Sequence, residues 1–486
     1  MNWEKRGTAT SIEEAIRQNS GMTDEELLNP QYVEPDTIEN LRDAADVIMD
    51  TLQYGYPIAI FGDYDVDGIT SSSILFRLFR HLGATVACRL PRRFSEGYGM
   101  STAAIDEIAD KNTLIVTVDN GITAIEQIAY AREKGFSIVV IDHHLPDATL
   151  PNADVIVNPH VNPENNGYVD YCGAGLALKL AEMMLGDELQ YKPSNKEEVE
   201  HLLDQLTILA TIGTIADVMP LTGDNRRIVK RGLELLKRYD ICELTGLRAL
   251  IECCEMYSRT EHDIAFKIAP ILNAPGRLQD DGAMKSFNLV MADLFMPDYQ
   301  EALKAAAELV LINENRKDAV AAAMDEAIDY IADECLYGTS PLCVCLQEAN
   351  EGIIGIVAGK LAEQMKVPTF VFTYTSEAGI LKGSGRSYGN INLKEMVNAA
   401  SKYIEQSGGH EGAAGVMVKT DNFFDMVHAM EKYAADHVEV VDSDVLYYDV
   451  EVKPNEVASC FRTLEKYAPF GEGNPSPVSQ VKKLTK

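Results

Sequence analysis

The chain has 486 residues, enough for two or three domains, and its 46% hydrophobic content excludes global disorder. A formal net charge of −32 excludes a broad basic surface that wraps duplex DNA, so any nucleic-acid contact has to be local. No apolar run is long enough to span a bilayer, the first residues lack a signal-peptide core, and nine scattered cysteines show no metal-finger spacing, so reduced thiols and a cytoplasmic location are expected.

Residues 1–50 are acidic and helix-prone and read as an N-terminal helical cover without chemistry. The apolar run at 57–61 then reads as a buried strand, followed by Asp63, Asp65 and Asp67. In extended backbone, side chains two residues apart share a face, and three anions converge only around something positive. Gly68 permits a turn into an amphipathic helix at 71–82. After a short strand at 85–90 comes Arg92-Arg93-Phe94-Ser95-Glu96-Gly97-Tyr98-Gly99, whose cations, glycines and aromatics suit phosphate contact and base stacking. An ordinary loop whose arginines pair with acids fits those residues equally well.

Apolar strands at 113–119 and 136–141 flank a helix at 124–134, and they end in Asp119 and in Asp142-His143-His144. Strand, helix, strand with short loops is a βαβ unit, so a parallel sheet brings aspartates from three strand ends to one rim. Carboxylates with imidazole and no thiolate favour Mn²⁺ or Mg²⁺, and more ligands than one ion needs suggest two ions sharing a bridging carboxylate. Further on, a buried helical stretch at 202–215 leads into Asp217-Val218-Met219-Pro220-Leu221.

Asp65-Val66-Asp67-Gly68, Asp119-Asn120-Gly121, Asp142-His143-His144 and Asp217-Val218-Met219-Pro220-Leu221, in this order, resemble the motifs of the DHH phosphoesterase superfamily. The resemblance is strongest to its RecJ branch, the single-stranded-DNA-specific exonucleases. Arg93-Phe94 with Glu96-Gly97-Tyr98-Gly99, Cys172-Gly173-Ala174-Gly175, Asn273-Ala274-Pro275-Gly276-Arg277-Leu278 and Gly408-Gly409-His410-Glu411-Gly412-Ala413-Ala414-Gly415 are similar to that branch in particular. The last marks a second, DHHA1-type domain. The resemblance implies that Asp65, Asp67, Asp119, His143 and Asp217 ligate two Mn²⁺ or Mg²⁺ ions, with Asp119 as the bridge. Asp63 and Asp142 would serve as adjoining ligands or their partners, and His144 would contact the scissile phosphate. Substrate contacts are expected from Arg93, Tyr98, Arg277, Arg386, Ser387, Gly409 and His410. One departure stands out: some superfamily members place a metal-binding histidine four residues before Asp65, where this chain has Phe61.

Residues 224–340 read as a helical connector, with Arg277 in a turn and a helix over 297–334 long enough to bridge two lobes. From 341 the pattern returns to strand and helix. Glycines at 383–385 and 408–415, with Arg386, Ser387 and His410, suit a phosphate, and the resemblance implies that this lobe faces the metal site across a groove. Residues 467–475 resemble the junction from which many RecJ proteins pass into an OB-type domain; with the chain ending at Lys486, that domain is expected to be absent and substrate binding weak or short-range.

The expectation is therefore a two-lobed α/β protein: a parallel-sheet DHH domain at 51–223, a connector at 224–340, a smaller α/β DHHA1-type domain at 341–466 and a tail at 467–486. Its implied activity is metal-dependent hydrolysis of single-stranded DNA from an end, 5′-to-3′ and to mononucleotides, in DNA repair and recombination. It would act as a monomer, alongside single-strand-binding or replication proteins. The rivals are an oligoribonuclease of short RNA or a cyclic-dinucleotide phosphodiesterase of the same superfamily, a dehalogenase-type phosphatase suggested by Asp65-Val66-Asp67-Gly68-Ile69-Thr70, and a catalytically inactive replication scaffold.

Overall fold

The computed structural model describes residues 2–92, 96, 99–191, 195–238, 243–296, 298–375, 377–437 and 445–481. The chain divides into two compact units, Met1–Val310 with Val445–Lys486, and Leu311–Asp444.

The first unit opens with a short strand, β1 (Asn2–Lys5), and is built on five more: β2 (Ile58–Phe61), β3 (Val86–Arg89), β4 (Leu114–Val118), β5 (Ser137–Ile141) and β6 (Val155–Val157). Strands β2 to β6 form a single parallel sheet in the order β3-β2-β4-β5-β6. All five residues of central β4 are buried, as expected of a strand covered on both faces. Alternate side chains enter different cores. Ile60, Leu114, Val116, Val118, Val139 and Ile141 pack with the helices Leu41–Gln53, Val66–His81, Gly173–Tyr191 and Lys196–Ala216. Phe61, Ile115, Ile138 and Val140 pack with Ile105 and Ile128 of the helices Thr102–Asp106 and Ile125–Glu133. Because the strands are parallel, their C-terminal ends share one rim, where an open α/β sheet places its ligands.

The second unit carries β7 (Leu342–Leu346), β8 (Thr369–Tyr374), β9 (Ile380–Arg386), β10 (Ile404–Gly409) and β11 (Ala413–Lys419), in the order β10-β11-β9-β8-β7. Only the β7–β8 pair is parallel. Phe370, Phe372, Leu381, Leu393, Met396, Met426 and Met430 form a separate core. The glycine-rich stretch 408–415 is the end of a strand hairpin.

Three features differ from the sequence reading. The helix after β2 begins at Val66, five residues before the expected start, because Asp65 caps it. The N-terminal segment is not wholly helical, because β1 pairs in parallel with β12 (Val445–Tyr448), and the expected tail contributes β14 (Ser479–Val481), which pairs with β13 (Val450–Val452). The long helix, Tyr299–Asp333, crosses the boundary between the units at Val310, so most of the expected connector belongs to the first unit.

Candidate metal centre

The three aspartates after β2 converge by a different route from the one their spacing suggested. Asp65 is the N-cap of the helix Val66–His81, and its Oδ1 accepts the Gly68 N–H at 3.0 Å. Asp67 lies in the first turn of that helix and is buried. Its two oxygens accept the N–H groups of Gly173 at 2.6 Å and Ala174 at 2.9 Å, at the start of the helix Gly173–Tyr191. A helix N-terminus is favourable ground for a carboxylate. The approach leaves no room for side chains: a Cβ at Gly173 would lie 2.6 Å from the Asp119 Cβ, and one at Gly213 would lie 2.7 Å from Asp67 Oδ1.

Asp119 follows β4 with φ 59°, and Val218, just after Asp217, has φ 56°. The left-handed region is tolerable for aspartate but costs a β-branched residue on the order of 1–3 kcal/mol, and it persists only where the surroundings enforce it. Asn120 ties the rim together by donating from Nδ2 to the carbonyls of Phe61 and Val118, both at 2.9 Å. His143 Nε2 lies 3.0 Å from Asp119 Oδ1, 3.7 Å from Asp217 Oδ2 and 3.8 Å from Asp67 Oδ2. Asp63, Asp65 and Asp119 also offer oxygens within 4.8 Å of one another. Asp142 is occupied differently. It accepts the N–H groups of Ile122, His143 and His144, and holds His144 Nδ1 at 2.7 Å. It fixes the histidine pair, and with Asp119, His143 and His144 it also offers ligand atoms within 4.8 Å of one another.

The electrostatics show a cluster short of positive charge. Burial, then the charges of Asp67, Asp65, Asp63 and Asp217, push the Asp119 pKa well above the ordinary carboxylate value. Burial and Asp67 raise that of Asp65, and burial with Asp67 and Asp65 takes Asp217 to about 8. Burial lowers the His143 pKa, keeping its imidazole neutral as a metal ligand requires. For His144 burial pulls downward, but the Asp142 hydrogen bond and the charges of Asp142, Asp63 and Asp217 prevail and raise it to about 9. Oxygen donors with one imidazole, repelling one another when ionised, fit hard divalent cations.

The remaining candidates sit elsewhere. Arg277 is in the last turn of the helix Ala269–Leu278, not in a free turn, because Pro275 is accommodated inside that helix. The same helix supplies Asn273, whose Oδ1 accepts the Val66 N–H at 3.1 Å and so supports the Asp65 cap. In the second unit, Arg386 pairs in register with Ala413, the Ser387 N–H donates to the Gly412 carbonyl at 3.0 Å, and His410 closes the hairpin with the Ala413 carbonyl. These meet Gly409 at one sheet end. Arg93 and Tyr98 lie outside the described residues. Phe61 turns its ring into the core with Met100 and Ile115, leaving Asp63 beside Asp65 and Asp119.

Sequence reasoning missed the supports: the Gly173 and Ala174 N–H groups, Asn120, Asn273 and the Ile122 N–H. The runs Cys172-Gly173-Ala174-Gly175, Asn273-Ala274-Pro275-Gly276 and Asp119-Asn120-Gly121 contained all of these but Ile122, without assigning them a role.

Residues 57–214 match the DHH family, N-terminal domain, and residues 339–436 match the DHHA1 domain. The single-stranded-DNA-specific exonuclease RecJ of Bacillus subtilis is 33% identical over 455 residues, which cover 92% of this chain and 54% of that protein. The Haemophilus influenzae protein of the same name is 31% identical over 456 residues, covering 91% of this chain and 78% of that one. The crystal structure of RecJ from Thermus thermophilus in complex with Mn²⁺ superposes with a TM-score of 0.79 at 29% identity, over 97% of this chain and 66% of that one. The chain thus spans about half the length of the Bacillus relative.

Proposed function

This chain belongs to the RecJ family, and from that premise we propose that it is a metal-dependent exonuclease of single-stranded DNA, working 5′-to-3′ and releasing mononucleotides. The observation that carries the reading is the convergence of Asp67, Asp119 and Asp217 on His143 Nε2, within 3.0–3.8 Å, at the C-terminal rim of a parallel sheet. Asp65, Asp67, Asp119, His143 and Asp217, with Asp63 beside them, would hold two Mn²⁺ or Mg²⁺ ions, and Asp119, shared between two of the candidate ligand groups, suits the bridge. When bound, such ions supply an activated water and neutralise charge on the phosphate.

The chain's own residues do the rest. Asp142 fixes the tautomer and direction of His144, whose Nδ1 it accepts, and holds the ring cationic near neutral pH. An exposed imidazolium at the rim suits a scissile phosphate, where a charge-assisted hydrogen bond gains as charge develops. Arg386, Ser387, Gly409 and His410 at the hairpin of the second unit would hold the strand by its backbone, with Arg93, Tyr98 and Arg277 as further contacts. The role extends to DNA repair and recombination, as a monomer beside single-strand-binding or replication proteins; sedimentation at working concentration tests the oligomeric part.

The deciding experiment digests 5′- and 3′-labelled single strands of DNA and RNA with Mn²⁺ or Mg²⁺. Mononucleotides released from the 5′ end of DNA, and lost in Asp119→Ala, are expected. No release from any strand, or equal release by Asp119→Ala, would overturn the proposal.

A further inference from the structure

Asp217 stands at the end of the helix Lys196–Ala216, where the chain makes a strained turn, and what holds that turn comes from the far end of the sequence. The Asp217 N–H is satisfied by the Gly213 carbonyl, and the Val218 and Met219 N–H groups by those of Ile215 and Thr214. The next free donor in the chain, the Leu221 N–H, reaches the Glu472 carbonyl at 2.8 Å. The partner segment is tightly fitted: a Cβ at Gly471 would lie 2.9 Å from Leu221 Cδ1, and one at Gly473 3.3 Å from the Pro220 Cβ. Asn474 is fully buried and closes the segment on itself, donating to the Pro469 carbonyl at 2.8 Å while its N–H meets the Gly471 carbonyl at 3.1 Å.

Arg226 locks this segment down. It is fully buried, and its guanidinium donates to backbone carbonyls alone: Tyr467 at 2.7 Å, Pro469 at 2.8 Å, Ala468 at 3.4 Å and Leu27 at 2.7 Å. Such a five-donor fork can gather four carbonyls at once, more than the three donors of a lysine allow. Its own helix, Gly223–Lys237, starts directly after the Asp217 turn, and Asn225 on that helix donates to the Pro220 carbonyl at 3.2 Å. The Phe470 N–H is held by Glu261 Oε1 at 3.0 Å. Residues 467–474 are therefore an integral part of the first unit rather than a tail.

We infer that residues 467–474, gathered by Arg226, are a positioning element for the metal-binding turn, holding the left-handed Val218 so that Asp217 faces His143. The inference rests on the proposed metal site. A clamp of this kind acts on a ligand's placement, so its loss should appear in metal affinity and not only in stability.

The test uses the full chain and Mn²⁺ alone, with affinity measured by calorimetry and folding by circular dichroism. Arg226→Met should weaken Mn²⁺ binding at least about tenfold with secondary structure kept, and Arg226→Lys should recover part of it. Adding Val218→Gly to Arg226→Met removes the strain the clamp opposes, and should restore affinity to within about threefold of wild type. Should Arg226→Met fail to fold, Gly471→Ala decides: it keeps every hydrogen bond, displaces Leu221, and should weaken binding about threefold. Unchanged Mn²⁺ affinity in a folded Arg226→Met, or in Gly471→Ala where that variant decides, overturns the inference alone. A wild-type chain that binds no Mn²⁺ overturns the proposed metal site and the inference with it.

Discussion

At Asp217 a pKa of about 8, against an ordinary 3.8, means that the metal-free fold holds a proton that the unfolded chain releases. Its contribution to stability is complete below about pH 4 and is lost as pH rises through about 8, and Asp65 and Asp119 act with the same sign. The metal-free protein should therefore melt at falling temperatures between about pH 5 and pH 8, and saturating Mn²⁺ should flatten that slope because cations replace the protons. Calorimetric titration in buffers of different ionisation enthalpy checks the same point: Mn²⁺ binding at pH 7 should release protons, fewer in Asp217→Asn, and no release in wild type would contradict the account. Asp142 belongs to the opposite class. Burial would raise its pKa, but the hydrogen bond and charge of His144, with the Ile122 N–H, bring it below the ordinary value. Asp142→Asn removes the charge that orients His144, so kcat on single-stranded DNA should fall about 10–100-fold while Mn²⁺ affinity changes less. An equal loss in both quantities would place Asp142 among the ligands instead.

Elements show what the sequence made legible and what it hid. The strands β2, β4 and β5 were readable because each is a short apolar run ended by an aspartate, and parallel pairing then places those ends on one rim. Their convergence followed from topology, with no need for detail. The local geometry around Asp63, Asp65 and Asp67 was misread because alternation assumes extended backbone, whereas Asp65 had already begun a helix. Supports were invisible for a different reason: Asn273 reaches Val66 across 207 residues and Gly173 reaches Asp67 across 106, and in the second case the donor is a backbone N–H that any residue carries. Asn273→Ala tests the helix start directly. It strands the Val66 N–H, which should cost about 1–3 kcal/mol in urea unfolding. The helix that Asp65 caps also carries Asp67, so Mn²⁺ affinity should drop in the same variant. A destabilised Asn273→Ala with wild-type affinity would confine the residue to folding.

Across the whole molecule, the charge of −32 sets the terms on which a polyanionic strand can bind. The first unit is discontinuous, closed by β12, β13 and β14 after the chain has built the second unit, and the strands Asn2–Lys5 and Ser479–Val481 are both paired within it. Among the described residues, the charged groups proposed to contact the strand include His144 at the rim of the first unit and Arg386 at the hairpin of the second. Affinity for single strands falls with salt at a slope of about −0.7 for each phosphate neutralised, so two contacts lose roughly sevenfold between 50 and 200 mM, while eight would lose about two-thousandfold. This chain should belong to the first regime. Its KM for a long single strand should rise by less than about tenfold over that range, with kcat nearly constant, because screening also weakens repulsion from the acidic surface. The measurement needs the divalent ion held at saturation, since monovalent salt otherwise competes at the carboxylates. A rise above about a hundredfold would reveal an extended cationic track along the strand, and the net charge would then be a misleading guide to how this molecule holds its substrate.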